Sequence, residues 1–155
     1  MNKHILIAVS FFIAVSCSDN DDGNNNSSCC GQDAFVVEIN NLSGDIEIAP
    51  FNVITPNSDG INDIFVISGL AAYPNNSLRV FSNNTLVFES SNYHLNQIFG
   101  ADLIDDSFAQ KVFTYELLVD NGDSFKAKGT ICAIKSSSND SDSCNAFDLS
   151  DPLLN

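Results

Sequence analysis

The stretch Val112-Phe113-Thr114-Tyr115-Glu116-Leu117-Leu118-Val119, then Asp120-Asn121-Gly122-Asp123, then Phe125–Ile134, reads as two strands around a turn. With a period of two, Val112, Thr114, Glu116 and Leu118 share one face, and Phe113, Tyr115, Leu117 and Val119 share the other. Asn-Gly accepts the positive φ angles of a type I′ turn, the strongest short-range signal of a hairpin.

Working outward, short apolar runs are broken by Gly, Pro, Asn and Asp roughly every ten residues. They predict strands at Phe35–Ile39, Ile46–Ile48, Asn52–Thr55, Ile64–Ser68, Leu78–Ser82 and Thr85–Glu89. Ser82-Asn83-Asn84-Thr85 predicts a second hairpin tip. No segment shows sustained helical periodicity, and Ser90–Ala109 is the least legible stretch. The chain has no tryptophan, but its 12 phenylalanines and many Ile, Val and Leu can fill a β core. The fold class is all-β, a single antiparallel β-sandwich.

The first residues predict export. Met1-Asn2-Lys3-His4 leads into an apolar run from Ile5 to Val15, broken only by Ser10, and reaches Ser16-Cys17. A basic start, a short apolar stretch and a small-residue cleavage site make a secretory signal. A membrane span needs about 20 apolar residues, more than this run supplies. Ala14-Val15-Ser16-Cys17 resembles the lipobox of bacterial lipoproteins, which implies cleavage before Cys17 and lipidation of Cys17. Several acyl chains hold far more firmly than one, so the partner implied here is the membrane itself. The acidic Ser18-Asp19-Asn20-Asp21-Asp22 resembles the export signal of surface lipoproteins in Bacteroidetes, and it equally suits a polar tether that cannot fold. The expected organisation is a signal peptide at 1–16, a tether at 17–32, the sandwich at 33–135 and a tail at 136–155.

Removing residues 1–16 from 155 leaves 139, and takes only Lys3 among the charges, so the net charge goes from −14 to −15. That length suits one domain with a core. So acidic a surface repels polyanions, which argues against any nucleic-acid partner.

Besides Cys17 there are Cys29, Cys30, Cys132 and Cys144. An even count in an exported chain predicts disulfides rather than a metal site. A bridge between neighbours Cys29 and Cys30 would strain the intervening peptide, so each is expected to reach one of Cys132 and Cys144. Both such pairings stay open. A loop of about 100 residues closed in this way contributes up to about 4–5 kcal/mol in the chain-entropy account.

The run Phe51-Asn52-Val53-Ile54-Thr55-Pro56-Asn57-Ser58-Asp59-Gly60-Ile61-Asn62-Asp63-Ile64-Phe65 closely resembles the opening of the gliding-motility-associated C-terminal domain family. Thr55, Pro56, Asn57, Asp59, Gly60, Asn62 and Asp63 fill its Thr-Pro-Asn-x-Asp-Gly-x-Asn-Asp stretch. Further matches follow in order: Ile67-Ser68-Gly69-Leu70, Tyr73-Pro74-Asn75-Asn76, Leu78-Arg79-Val80-Phe81 and Leu86-Val87-Phe88-Glu89. The resemblance runs from about Phe51 to Ile134. It implies an Ig-like sandwich, a Bacteroidetes cell envelope and partners among type IX secretion or gliding components. The chain departs from the family at Ser82–Thr85 and in lacking the Trp-Asp-Gly motif. A tail with Cys144 follows where such domains normally end.

Asn57, Ser58, Asp59, Asn62 and Asp63 crowd oxygen ligands into one loop, a composition that suits Ca²⁺. Asp59 and Asp63, with Asn57, are the candidate calcium ligands; otherwise no cofactor is expected. An EF-hand is absent, because aligning Asp59-Gly60 to its central turn puts Thr55 and Val66 where carboxylates are required. The alternative is a turn whose Asn and Asp side chains cap their own backbone.

No catalytic residue is expected. His94 is the one histidine after the predicted cleavage site, with no nucleophile signature near it, and Asp102, Asp105 and Asp106 read as a solvated loop. The function expected is a non-catalytic outer-membrane or surface lipoprotein that docks onto an envelope assembly of type IX secretion or gliding. Sheet edges and the Ser90–Ala109 loop are its expected binding surfaces. The alternative is a small adhesion or glycan-binding module that calcium could steady, with Tyr73, Tyr93 and Phe99 either stacking on sugars or packed in the core.

Overall fold

A computed structural model describes residue 29 and residues 35–104, 108–136 and 144–154. Cys17, Cys30, the signal segment and most of the tether lie outside the described residues. Among the described residues, eight strands occur in chain order: β1 (Val36–Asn40), β2 (Ala49–Pro50), β3 (Val53–Ile54), β4 (Ile67–Ser68), β5 (Asn76–Ser82), β6 (Thr85–Ser91), β7 (Gln110–Val119) and β8 (Phe125–Ile134). The large sheet has the order β1-β8-β7-β5-β6, with β3 also joined to β8, while β2 and β4 pair in a second sheet. The architecture is all-β, an Ig-like sandwich. Not every pairing is antiparallel: β3 runs parallel to β8, with Val53 opposite Cys132 and Ile54 opposite Ala133.

The β7–β8 hairpin is the spine, paired without a break from Gln110↔Ile134 to Val119↔Phe125. Phe113, Tyr115, Leu117 and Val119 are buried, as the alternation requires. They meet Leu78 and Val80 of β5, Phe88 of β6, and Phe125, Ala127 and Ile131 of β8. Ile54 of β3 adds to this face, and Ile48, Phe65, Ile67 and Leu70 pack against it from the β2–β4 side. The centre is aromatic: ring centroids of Phe65 and Tyr115 lie 5.1 Å apart, Phe88 and Phe99 5.5 Å, and Phe99 and Phe113 5.2 Å. Gly129 lies directly under Tyr115, where an added Cβ would come within 2.7 Å of the phenol oxygen. The missing side chain leaves room for the ring.

The two turns differ. Ser82 pairs with Thr85, so Asn83 (φ 48°) and Asn84 (φ 63°) form a two-residue loop. The connection after β7 is longer, because Val119 pairs with Phe125 and five residues lie between. Within it, Asn121 and Gly122 take φ values of 57° and 95°, and Asp123 N–H donates to the Asp120 carbonyl at 3.1 Å. The positive-φ turn therefore forms at Asn-Gly but does not close the ladder directly. Asp120 holds the extra residues, accepting from Asn75 Nδ2 at 2.8 Å and from the Ser124 hydroxyl.

Two expected strands are corrected. Ile46–Ile48 is not a strand: Ile46 is exposed, Ile48 turns into the core, and pairing begins at Ala49. Pairing in Ile64–Ser68 shrinks to Ile67–Ser68, with Ile64 bridged only to Gly100. There the chain bends against Gly100, where a Cβ would stand 2.4 Å from the Asp63 carbonyl oxygen.

A second cluster lies on the opposite face of the hairpin's far end. Cys29, Val53, Cys132, Ile134, Cys144, Ala146 and Leu154 pack together there with Val112. Cys29 is bonded to Cys132, Cα to Cα 5.5 Å. Cys144 is disulfide-bonded as well.

Candidate functional site

The loop from Thr55 to Asp63 is organised by its own side chains. The Asp63 carboxylate accepts N–H bonds from Asn57 at 3.1 Å, Ser58 at 2.6 Å and Gly60 at 2.6 Å. Asp59 accepts from Ile61 N–H and from Asn57 Nδ2, both at 2.8 Å, and Asn57 Oδ1 accepts Asp59 N–H at 3.0 Å. Ser58, Gly60 and Asn62 adopt positive φ, which turns successive N–H groups inward. Asn57, Asp59 and Asp63 are thus brought together, each capping the backbone. Among the described residues, no group of three or more His, Cys, Asp or Glu side chains is placed to hold a metal ion.

The other side of the same loop faces the C-terminal tail. The Thr55 hydroxyl donates to the carboxylate of Asp151, and Asn62 Nδ2 donates to the same oxygen at 3.1 Å. Asn62 also grips the backbone of Asp148, accepting from its N–H at 2.9 Å and donating to its carbonyl at 2.7 Å. Nearby, Asn145 Nδ2 donates to the Pro50 carbonyl at 3.2 Å, Ala146 bridges Val53, and Phe147 packs edge-on against Phe51 at 5.3 Å. The sequence shows this segment only as part of a tail at 136–155 and gives no sign of Thr55, Asn62 and Asp151 as a unit. The spacing carries no signal for it: Thr55 and Asp151 are 96 positions apart.

Within the Ser90–Ala109 stretch, Tyr93, Phe99 and Ile104 turn inward while Leu95 and Leu103 are exposed. Tyr93 and Phe99 are each 1% exposed and cannot stack on a sugar; with Ile104 they plug the core. Tyr73 is half-buried, and its hydroxyl donates to the Ile46 carbonyl at 2.9 Å. The Tyr93 hydroxyl donates to the Phe65 carbonyl at 2.7 Å, accepts Phe99 N–H at 3.2 Å, and is pushed far up in pKa by burial. His94, half-buried and at φ 76°, lies with Nε2 3.3 Å from the Phe65 carbonyl oxygen. Desolvation lowers its pKa, against a smaller upward push from that carbonyl. Its surroundings are those of a packing residue. Asp102 is exposed in the turn Ala101–Leu103, and Asp105 and Asp106 lie outside the described residues.

The large sheet ends at β1 and β6. Leu86 and Val87 of β6 are 41% and 49% exposed, and Val36 and Val37 of β1 are 43% and 42%. Across the outer face runs an ionic row: Arg79 meets Glu89 at 3.0 Å and Glu116 at 3.9 Å, and Glu38 meets Lys126 at 2.8 Å and Lys128 at 2.7 Å. Beside it lies a shallow groove of about 450 Å³ lined by Val36, Phe81, Thr114 and Thr130.

The model of one family, the CHU_C Type IX secretion signal domain, matches residues 48–133. That span begins just before β2 and stops within β8, leaving β1, Cys29 and the tail outside it. No curated protein and no solved structure matches the chain.

Proposed function

The chain belongs to the CHU_C type IX secretion signal domain family, and from that premise we propose that it is a non-catalytic docking subunit of a type IX secretion or gliding assembly. Lipid on Cys17 would hold it at the outer membrane, with the sandwich presented to the cell surface. The observation that carries this reading is the family match over residues 48–133, nearly all of the sandwich.

The docking element we assign is β6. It ends the sheet order, so its outer side meets no strand among the described residues. It is seven residues long, shows Leu86 and Val87 to solvent, and contains no lysine or proline. Edge strands of this kind add a partner's strand through backbone hydrogen bonds.

Mild crosslinking in intact cells, affinity purification and mass spectrometry test the proposal. Envelope components of secretion or gliding should copurify with the native protein, and Val87→Lys should deplete them. Recovery of bulk lipoproteins alone would overturn the docking role and leave the family match as a statement of fold.

A further inference from the structure

Between the buried Ala146 and Leu154, the tail packs in the reverse of the usual sense. Asp151 is fully buried, whereas Phe147 and Leu149 are 64% and 65% exposed. A segment docked for its apolar area would turn these outward groups in and the carboxylate out. Taking a carboxylate from water is costly unless hydrogen bonds replace the hydration, and here they do. Thr55 and Asn62 donate to one oxygen, and the other accepts Leu153 N–H at 2.9 Å.

The contacts also recognise a shape. Asn62 uses both ends of its amide on the backbone of Asp148, as a neighbouring strand would. The Asp148 carboxylate in turn accepts Ser150 N–H at 2.9 Å and the Ser150 hydroxyl at 2.7 Å, which sets the turn that delivers Asp151. Every polar group in Asp148-Leu149-Ser150-Asp151 named here has an assigned role, while Leu149 points away.

We propose that Thr55 and Asn62 form a binding site for an acidic Asp-x-Ser-Asp turn, filled in cis by Asp148–Asp151, and that opening of the tail lets the site take the same turn from another chain. Both site residues belong to the Thr55–Asp63 loop inside the family match, and the occupant comes from beyond it. The disulfide at Cys144 keeps the occupant close, so in cis it competes at high effective concentration. The site stands apart from the β6 edge and does not rest on the docking proposal.

The test uses the full chain and a labelled peptide with the sequence of residues 145–155, followed by fluorescence anisotropy. Wild type, its site already filled, should show no saturable binding, whereas Asp151→Ala should bind the peptide. Adding Thr55→Val, or using a peptide with alanine in place of Asp151, should weaken binding about tenfold or more, the effect of losing a hydrogen bond to a charged group. Equal binding by wild type and Asp151→Ala, or none by an Asp151→Ala chain of unchanged circular dichroism, would overturn the proposal. If Asp151→Ala does not fold, amide exchange on full-length Thr55→Val decides. Protection at Asp148, Leu153 and Leu154 should fall about tenfold while Leu117 is unchanged; unchanged protection in the tail would be equally fatal. No envelope protein enters either assay, so failure here is separable from failure of the docking role.

Discussion

The two hydrophobic clusters occupy opposite faces of the β7–β8 hairpin and hold together by different means. The larger one is built of strand residues that alternate inward, Phe113 and Tyr115 among them, with Phe65, Tyr93 and Phe99 inserted from the connections. The smaller one gathers pieces from distant parts of the chain, Cys29 and residues 144–154, onto Val53, Cys132 and Ile134. Apolar area stabilises the first. The second buries less, and adds covalent closure and polar recognition. A few small residues would not hold chain ends in place by burial alone, because ordering those residues costs more than their area returns.

This contrast predicts a ranking. Phe65→Ala removes a fully buried ring in contact with Tyr93 and Tyr115. It should cost about 3–5 kcal/mol in denaturant unfolding. Cys29→Ser with Cys132→Ser opens a loop with a sequence separation of 103, and should cost about 3 kcal/mol. A disulfide loss larger than the Phe65→Ala loss would break the comparison and make the small cluster the principal anchor. Gly129→Ala forces a methyl against Tyr115, and should cost about 2 kcal/mol by overpacking. Its near-ultraviolet circular dichroism should change with the tyrosine's setting.

The smallest effects are electrostatic. The His94 pKa is lowered in the folded chain, so the unfolded chain binds the proton more readily. The stability that the neutral ring contributes is complete above the ordinary histidine pKa and is lost as pH falls through the lowered folded value. Thermal unfolding between pH 7.5 and pH 5 should show a modest fall, and His94→Gln should flatten it. Glu38 is held at about 2, first by Lys126 and then by Lys128. Its contribution is present above the ordinary carboxylate pKa and fades as pH falls toward 2. Because this ion pair is exposed, 1 M salt should erase the difference between wild type and Glu38→Gln, which salt-dependent melting would show.

Legibility followed the same division. The β7–β8 hairpin was readable because its alternation and its Asn-Gly turn are local. So was the Asn83-Asn84 tip. The motif Thr55–Asp63 was readable as a tight oxygen-rich turn, but its two faces were not distinguishable. One face caps itself through Asp59 and Asp63, and the other reaches Asp148 and Asp151. Tyr93 and Phe99 sat in a stretch without periodicity, and only a core needing plugs shows why they are aromatic. Ile46–Ile48 had strand composition, yet pairing is set by which residues lie opposite Ile67 and Ser68, not by composition.

By itself the sequence determined the all-β class, the spine hairpin, both positive-φ turns and the family. Period-two patterning, turn chemistry and motif order are properties of neighbours along the chain. Only the tertiary structure decided that Cys29 joins Cys132, that β3 runs parallel to β8, and that Asn62 meets Asp151 across 89 positions. Each of these joins groups whose meeting depends on how the layers pack, and packing between distant residues leaves no period in the sequence.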